Sequence, residues 1–167
     1  LDRSGRLLTM GVIIFGVGTA LYTFGQIGEM VVEGHLFGYR RKKRMYRKIK
    51  EMRDHYIICG YGRVGHQVAQ ELEDAKLAYV VIDNKPEICE ELEGKGVPYL
   101  VGDLTATGKL EEAGVKNARG LVACADSDMG NVFVILSARA ANPKLFIVAR
   151  SSTLDSEEKL RLAGANE

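Results

Sequence analysis

Residues 55–65 read HYIICGYGRVG, and this stretch decides the fold. The apolar run at 55–59 predicts a short buried strand. It leads without a break into Gly60-Tyr61-Gly62-Arg63-Val64-Gly65, a GxGxxG loop. The residues that follow, HQVAQELEDAK at 66–76, carry apolar positions at helical spacing through Val68, Ala69 and Leu72. LAYVVID at 77–83 then supplies a second apolar strand that ends on Asp83. Strand, glycine loop, helix and strand form one βαβ unit. An acid about 20 residues past the loop completes a dinucleotide-binding pattern.

Each position in the loop has a physical task in that pattern. Gly60 permits the tight turn, Gly62 lets the backbone approach a pyrophosphate, and Gly65 lets the helix pack closely on the strand. Free N–H groups at the helix start face the phosphates, and the Arg63 guanidinium can reach them. Tyr61 and Val64 complete the loop. Asp83 is placed to accept hydrogen bonds from adenosine ribose hydroxyls, with Asn84 next in the turn. Its charge would repel a 2′-phosphate, which favours NAD(H), ADP or ATP over NADP.

Working outward to the C-terminus, the alternation continues. Helix is predicted at 86–95, strand at 97–103, helix at 105–115, strand at 119–126, helix at 128–141 and strand at 145–150. Such alternation predicts an α/β fold, a Rossmann-like doubly wound parallel sheet. Ligands of these sheets lie beyond the carboxyl ends of the strands. Asp103 with Leu104, after the third strand, and Ala125 with Asp126, after the fourth, therefore join the candidate site. Asn131 and Arg150 are secondary candidates near the same edge. No catalytic residue and no metal cluster is predicted.

Outward to the N-terminus, residues 7–36 read LLTMGVIIFGVGTALYTFGQIGEMVVEGHL. The first half has no charge, and the run from 7 to about 27 reaches the roughly 20 apolar residues that a membrane span requires. Its glycines Gly11, Gly16, Gly18, Gly25 and Gly28 would let helices pack closely or bend. The segment YRRKKRMYRKIK at 39–50 follows, and by the positive-inside rule it marks the cytoplasmic side. A secretory signal has the opposite order, with its charges ahead of the apolar stretch. The expected division is a transmembrane inner helix at 1–36, a basic cytoplasmic linker at 37–53 and a nucleotide-binding domain at 54–167.

Composition agrees with this. The chain has 167 residues, 46% of them apolar and 27% charged, with 19 glycines, which suits a packed α/β domain and excludes a disordered chain. Net charge is +1, but residues 1–54 hold 11 Lys and Arg against 5 Asp and Glu, and the remainder holds 12 against 17. An acidic folded half argues against nucleic-acid binding, and the basic block suits a membrane surface. Cys59, Cys89 and Cys124 are odd in number and form no CxxC pair, so Cys59 and Cys124 are expected to be buried core thiols.

The segment DHYIICGYGRVG at 54–65, with VVID at 80–83 and VGD at 101–103, resembles the regulator-of-potassium-conductance family, also known as TrkA-N or KTN domains. SGRLLT at 4–9, the glycine-bearing helix and the basic linker resemble the junction between pore and domain in prokaryotic ligand-gated potassium channels. The resemblance implies a homotetrameric pore in the inner membrane that conducts K+. A cytoplasmic ring of identical domains would pull on its inner helices as a bound nucleotide changes the ring's shape. It further implies that Gly60, Gly62, Arg63 and Gly65 hold phosphates, that Asp83 holds the ribose and that Asp103 lies on the adenine side. No TVGYG-like filter occurs in these residues.

Two other classes share the fold. A nucleotide-sensing subunit of a potassium transporter would need no span of its own. An NAD-dependent dehydrogenase would need an acid or base beside the nicotinamide. The histidines His35, His55 and His66 fall at the membrane boundary, at a strand start and after the phosphate loop, which does not fit that role.

Overall fold

The computed structural model describes residues 3–32, 35–106 and 108–167, with side chains at 9–23, 43–106 and 108–167. The chain divides into two compact units, Leu1–Lys43 and Arg44–Glu167.

In the first unit, α1 (Arg3–Val32) is a continuous helix of 30 residues. Among its described side chains Met10, Val12, Ile13, Ile14, Phe15, Val17, Leu21 and Tyr22 are all more than half exposed. The hydroxyls of Thr19 and Thr23 donate back to carbonyls three and four residues earlier, at 2.9–3.0 Å. Among the described residues no helix is long and apolar enough to cross a membrane. The described side chains of α1 run only over 9–23, which is shorter than the roughly 20 residues of a span.

A second helix, α2 (His35–Glu51), runs through the basic segment, and its last turns belong to the second unit. There Ile49 is fully buried in the core and Met45 packs against it. Helix α2 ends at Glu51; the Met52 N–H then bonds to the Ile49 carbonyl, and the chain turns into the sheet at Asp54.

The sheet has five parallel strands: β1 (Tyr56–Cys59), β2 (Tyr79–Asp83), β3 (Tyr99–Val101), β4 (Gly120–Ala123) and β5 (Phe146–Ala149), in the order β3-β2-β1-β4-β5. The central strand β1 pairs Ile58 with Val81 on one side and with Val122 on the other. The chain reverses direction across the sheet after β3, so the carboxyl ends of β1 and β4 flank the topological switch point. Helices α3 (Arg63–Asp74) and α4 (Ile88–Gly94) cover one face, and α6 (Asp128–Ala141) and α7 (Leu154–Ala163) belong to the other, with the short α5 (Lys109–Glu112).

Strand periodicity sorts the core into these two faces. Ile57, Val80, Ile82, Leu121 and Ile147 meet Val134, Ile135 and Ala138 of α6. Ile58, Val81, Tyr79 and Tyr99 meet Ala69 of α3 and Leu92 of α4. Both faces of the inner strands are apolar, as a sheet sandwiched between helices requires.

Two sequence expectations are corrected. The helix expected at 105–115 is only α5 followed by a 3-10 turn at Val115–Asn117. Gly108 and Gly114 adopt left-handed φ of 101° and 77°, which interrupts the helix on both sides. Helix α7 was not expected at all. Thr153 caps it by accepting from the Ser156 N–H at 3.2 Å, and Gly164 at φ 114° ends it. Only Leu160 of α7 is buried, while Leu154 and Leu162 point outward, so the apolar period is faint. Beyond it, the Asn166 N–H donates to the Ile147 carbonyl and the Ala149 N–H to the Glu167 carbonyl, so the last residues run along β5.

Candidate nucleotide site

The glycine loop joins β1 to α3 at the switch point, and its three glycines are there for different reasons. A Cβ on Gly60, whose φ is 101°, would lie 2.7 Å from the Cys124 carbonyl oxygen and 2.8 Å from the Ala125 backbone. A Cβ on Gly65 would lie 2.2 Å from the Gly60 carbonyl oxygen. Internal packing thus fixes both. A Cβ on Gly62 would meet only Asp126 Oδ1, at an ordinary 3.6 Å, and Gly62 has an unstrained φ of −82°. Packing within the chain does not require glycine at this position. Gly62 is also the N-cap of α3, and no side chain caps that helix.

Asp83 closes the loop from the end of β2. Its Oδ2 accepts the Tyr61 N–H at 2.6 Å and its Oδ1 accepts the Lys85 N–H at 2.9 Å. One lone pair on each oxygen is left for a further donor. Asp103 accepts from both the backbone N–H and the hydroxyl of Thr105, at 2.8 and 2.7 Å. These bonds, the backbone one foremost, hold its carboxyl below the usual carboxylate range. Asp126 is paired with the Lys85 ammonium at 3.1 Å.

Two clefts open along this edge. The larger, of about 490 Å³, is lined by Gly62, Arg63, Val64, Gln67, Asp126 and Arg150 among others. The smaller, of about 170 Å³, is lined by Gly60, Asp83, Asn84, Asp103, Leu104, Ala125 and Asp126 with Thr105 and Ser127. Asp126 borders both. Of the twelve primary candidates named from sequence, ten line a cleft. Tyr61 and Gly65 do not. The Tyr61 ring is buried against α3 and α4 and stacks on His66, with ring centroids 3.9 Å apart, and the residue serves the site through its N–H.

Asn131 is fully buried and lies behind the edge. Its Oδ1 accepts the Ala125 N–H at 2.8 Å and its Nδ2 donates to the Arg150 carbonyl at 3.0 Å, stapling the ends of β4 and β5 together. Arg150, a secondary candidate in the sequence, faces the large cleft. Gln67, Lys85, Thr105 and Ser127 had no signal of their own. Gln67 is one turn past the loop, and Lys85 and Thr105 each sit two residues beyond a strand-end acid, which is the one pattern that could have found them.

Two of the three cysteines are core groups, and Cys89 is half-buried. Cys59 and Cys124 are buried, the Cys124 thiol donates to the Gly60 carbonyl at 3.0 Å, and burial pushes it up to about 12. His55 is buried beside Gly114, away from the clefts, with Nε2 2.8 Å from the Ala113 carbonyl oxygen. His66 bridges the Gly62 carbonyl and Glu91 at 3.0 and 3.1 Å.

A parallel five-stranded sheet with a glycine loop and a strand-end acid at its switch point defines a Rossmann-type domain. The TrkA-N domain model matches residues 56–167, and the chain belongs to that family. It is 38% identical over 164 residues to Potassium channel protein 1 of Methanocaldococcus jannaschii, covering 97% of this chain and 49% of the relative. It is 39% identical over 166 residues to Probable potassium channel protein 2 of the same organism, covering 97% and 48%. The chain thus spans about half the length of these two relatives. Among solved structures, the GsuK channel bound to NAD matches with a TM-score of 0.64 at 28% identity, over 70% of this chain and 21% of that one. GsuK bound to ADP matches with 0.64 at 28%, over 71% and 31%. The domain is consistent with a regulator of potassium conductance, and the two Methanocaldococcus jannaschii relatives are named as potassium channel proteins.

Proposed function

We propose that the unit from Arg44 to Glu167 senses an adenine nucleotide, NAD(H), ADP or ATP, and that this binding regulates K+ passage through a membrane pore to which α1 contributes. The observation that carries the nucleotide reading is Gly62, which borders a cleft of small-molecule size and has no reason to be glycine within the chain. A backbone that must be approached from outside supplies the reason. In this reading Gly60, Gly62, Arg63, Val64 and Gly65 form the phosphate loop, which the Tyr61 N–H ties to Asp83. Asp83 and Asn84 receive the ribose, and Asp103, Leu104 and Ala125 border the adenosine, with Asp126 on the rim between the clefts. The similarity to GsuK bound to NAD and to GsuK bound to ADP supports the ligand class.

The pore reading has its own support. At 1.5 Å per residue the 30 residues of α1 extend about 45 Å, more than the roughly 30 Å hydrocarbon layer. Its described apolar side chains lie on every side, which is the pattern of a helix surrounded by lipid or by other helices. The hydroxyls of Thr19 and Thr23 are satisfied within the helix. Matching residues in the two channel relatives extend over 97% of this chain, α1 included. We take the assembly to be a homotetramer in the inner membrane with the Rossmann domains in the cytoplasm. A ligand then shifts gating only through different affinities for the open and closed rings, typically about 1–3 kcal/mol.

Calorimetric titration of the full chain in detergent with NAD⁺, NADH, ADP, ATP and NADP⁺ tests the reading. Saturable binding of an adenine nucleotide that Gly62→Val abolishes is the expected result. A folded protein that binds none of the five overturns it.

A further inference from the structure

The Lys85–Asp126 pair joins residues 41 apart in sequence, one beyond β2 and one beyond β4. These strands flank β1 on its two sides, so the pair crosses the end of β1, where the glycine loop starts. Asp126 borders both clefts, and, apart from Gly62 and its chain neighbours, its Oδ1 is the one atom among the described residues within 4 Å of a Cβ built on Gly62. Lys85 is held at this place from below, because its N–H bonds to Asp83 Oδ1. A carboxylate thus stands beside the loop position where the proposed pyrophosphate approaches, and it is paired with the Lys85 ammonium at 3.1 Å.

We propose that Lys85 and Asp126 form a latch over the nucleotide cleft, in which Asp126 competes with the ligand's phosphates for Lys85 and for the space above Gly62. The inference rests on the nucleotide reading and adds to it a regulatory contact and a further binding residue. Phosphate arrival displaces Asp126, and Lys85 exchanges one anion for another, keeping its charge paired. The side chains of Lys85 and Asp126 are 55% and 78% exposed, so the pair is weak and opens without unfolding anything. The latch distinguishes ligands by charge. Adenosine, which brings no anion, leaves it closed, whereas AMP, ADP or a dinucleotide opens it.

This makes Asp126 an antagonist of binding, opposite in sign to a residue that holds the ligand, and the sign is measurable. Titrations of the full chain with ADP and with adenosine would compare the wild type with Asp126→Asn, Lys85→Gln and the double variant, each checked for an unchanged thermal melt. Asp126→Asn is expected to tighten ADP about two- to five-fold, the range of an exposed ion pair, and to leave adenosine unchanged. Lys85→Gln is expected to weaken ADP, and adding Asp126→Asn to it should recover little. Weaker or equal ADP binding by Asp126→Asn overturns the latch, as does equal tightening of adenosine. Should the wild type bind no nucleotide, the functional reading fails on its own. Inorganic pyrophosphate then tests the latch, with tighter binding by Asp126→Asn expected and equal or absent binding refuting it.

Discussion

The backbone N–H of Tyr61 donates to Oδ2 of Asp83 at 2.6 Å, so the end of β2 ties down the glycine loop that leaves β1. The acid that the sequence assigns to ribose recognition is at the same time a structural part of the loop. Asp83→Ala should therefore lower both affinity and stability. A hydrogen bond to a charged acceptor is worth about 1.5–3 kcal/mol, and a thermal melt is expected to drop by several degrees. Asp83→Asn retains an acceptor and should lose less. A melt of Asp83→Ala identical to wild type would show that the loop holds its shape unaided.

Gly62→Ala and Gly65→Ala separate ligand approach from packing. The Gly62 variant is expected to cost less than about 1 kcal/mol of stability, since its Cβ meets only Asp126 Oδ1 at 3.6 Å. Its nucleotide affinity should nonetheless fall sharply. The Gly65 variant drives a methyl group to within 2.2 Å of the Gly60 carbonyl oxygen and should cost about 1–3 kcal/mol. Denaturant melts and titrations on the same samples check the split, and equal stability losses would contradict it.

His55 gives the second unit a dependence on pH. It is fully buried, Nδ1 has no partner among the described residues, and burial lowers its pKa from the ordinary 6.5, with the bond to the Ala113 carbonyl opposing. The unfolded chain then takes up a proton that the folded one refuses. This contribution to stability is complete above about pH 6.5 and declines as pH falls, until folded His55 itself titrates. Chemical melts from pH 7.5 to 5 should show the decline, and His55→Gln should flatten it. A slope unchanged in His55→Gln would assign the effect to other groups.

Ile49 anchors the end of α2 in the core of the second unit. Ile49→Ala removes a fully buried side chain and should cost about 2–4 kcal/mol. Because the clefts lie at the opposite, carboxyl edge of the sheet, nucleotide affinity measured well below the melt should stay within about two-fold, the scale of independence seen for distant sites. A parallel loss of affinity would mean that the end of α2 and the loop are energetically coupled through the core.

The strands and the glycine loop were legible because their signals are local. β1 is an apolar run entering GxGxxG, α6 matches its expected bounds of 128–141, Asp83 ends β2, and Asp103 and Asp126 follow β3 and β4 within three residues. Helix α5 was overestimated because Gly108 and Gly114 take left-handed conformations that outweigh a short apolar period. Helix α7 was missed because one buried leucine does not make a period.

The sequence by itself determined that strands alternate with helices, that both faces of the sheet are apolar, and that acids and glycines gather at one edge. Those properties follow from residue type and spacing along a single segment. Only the tertiary structure decided which glycines answer to packing and which to something outside, because a Cβ clash depends on what β4 brings against the loop. It alone brought Lys85 to Asp126 across β1, Asn131 between β4 and β5, and Ile49 into the sheet's core. Each of these is a contact between segments far apart in the chain, fixed by strand order and not by any local pattern.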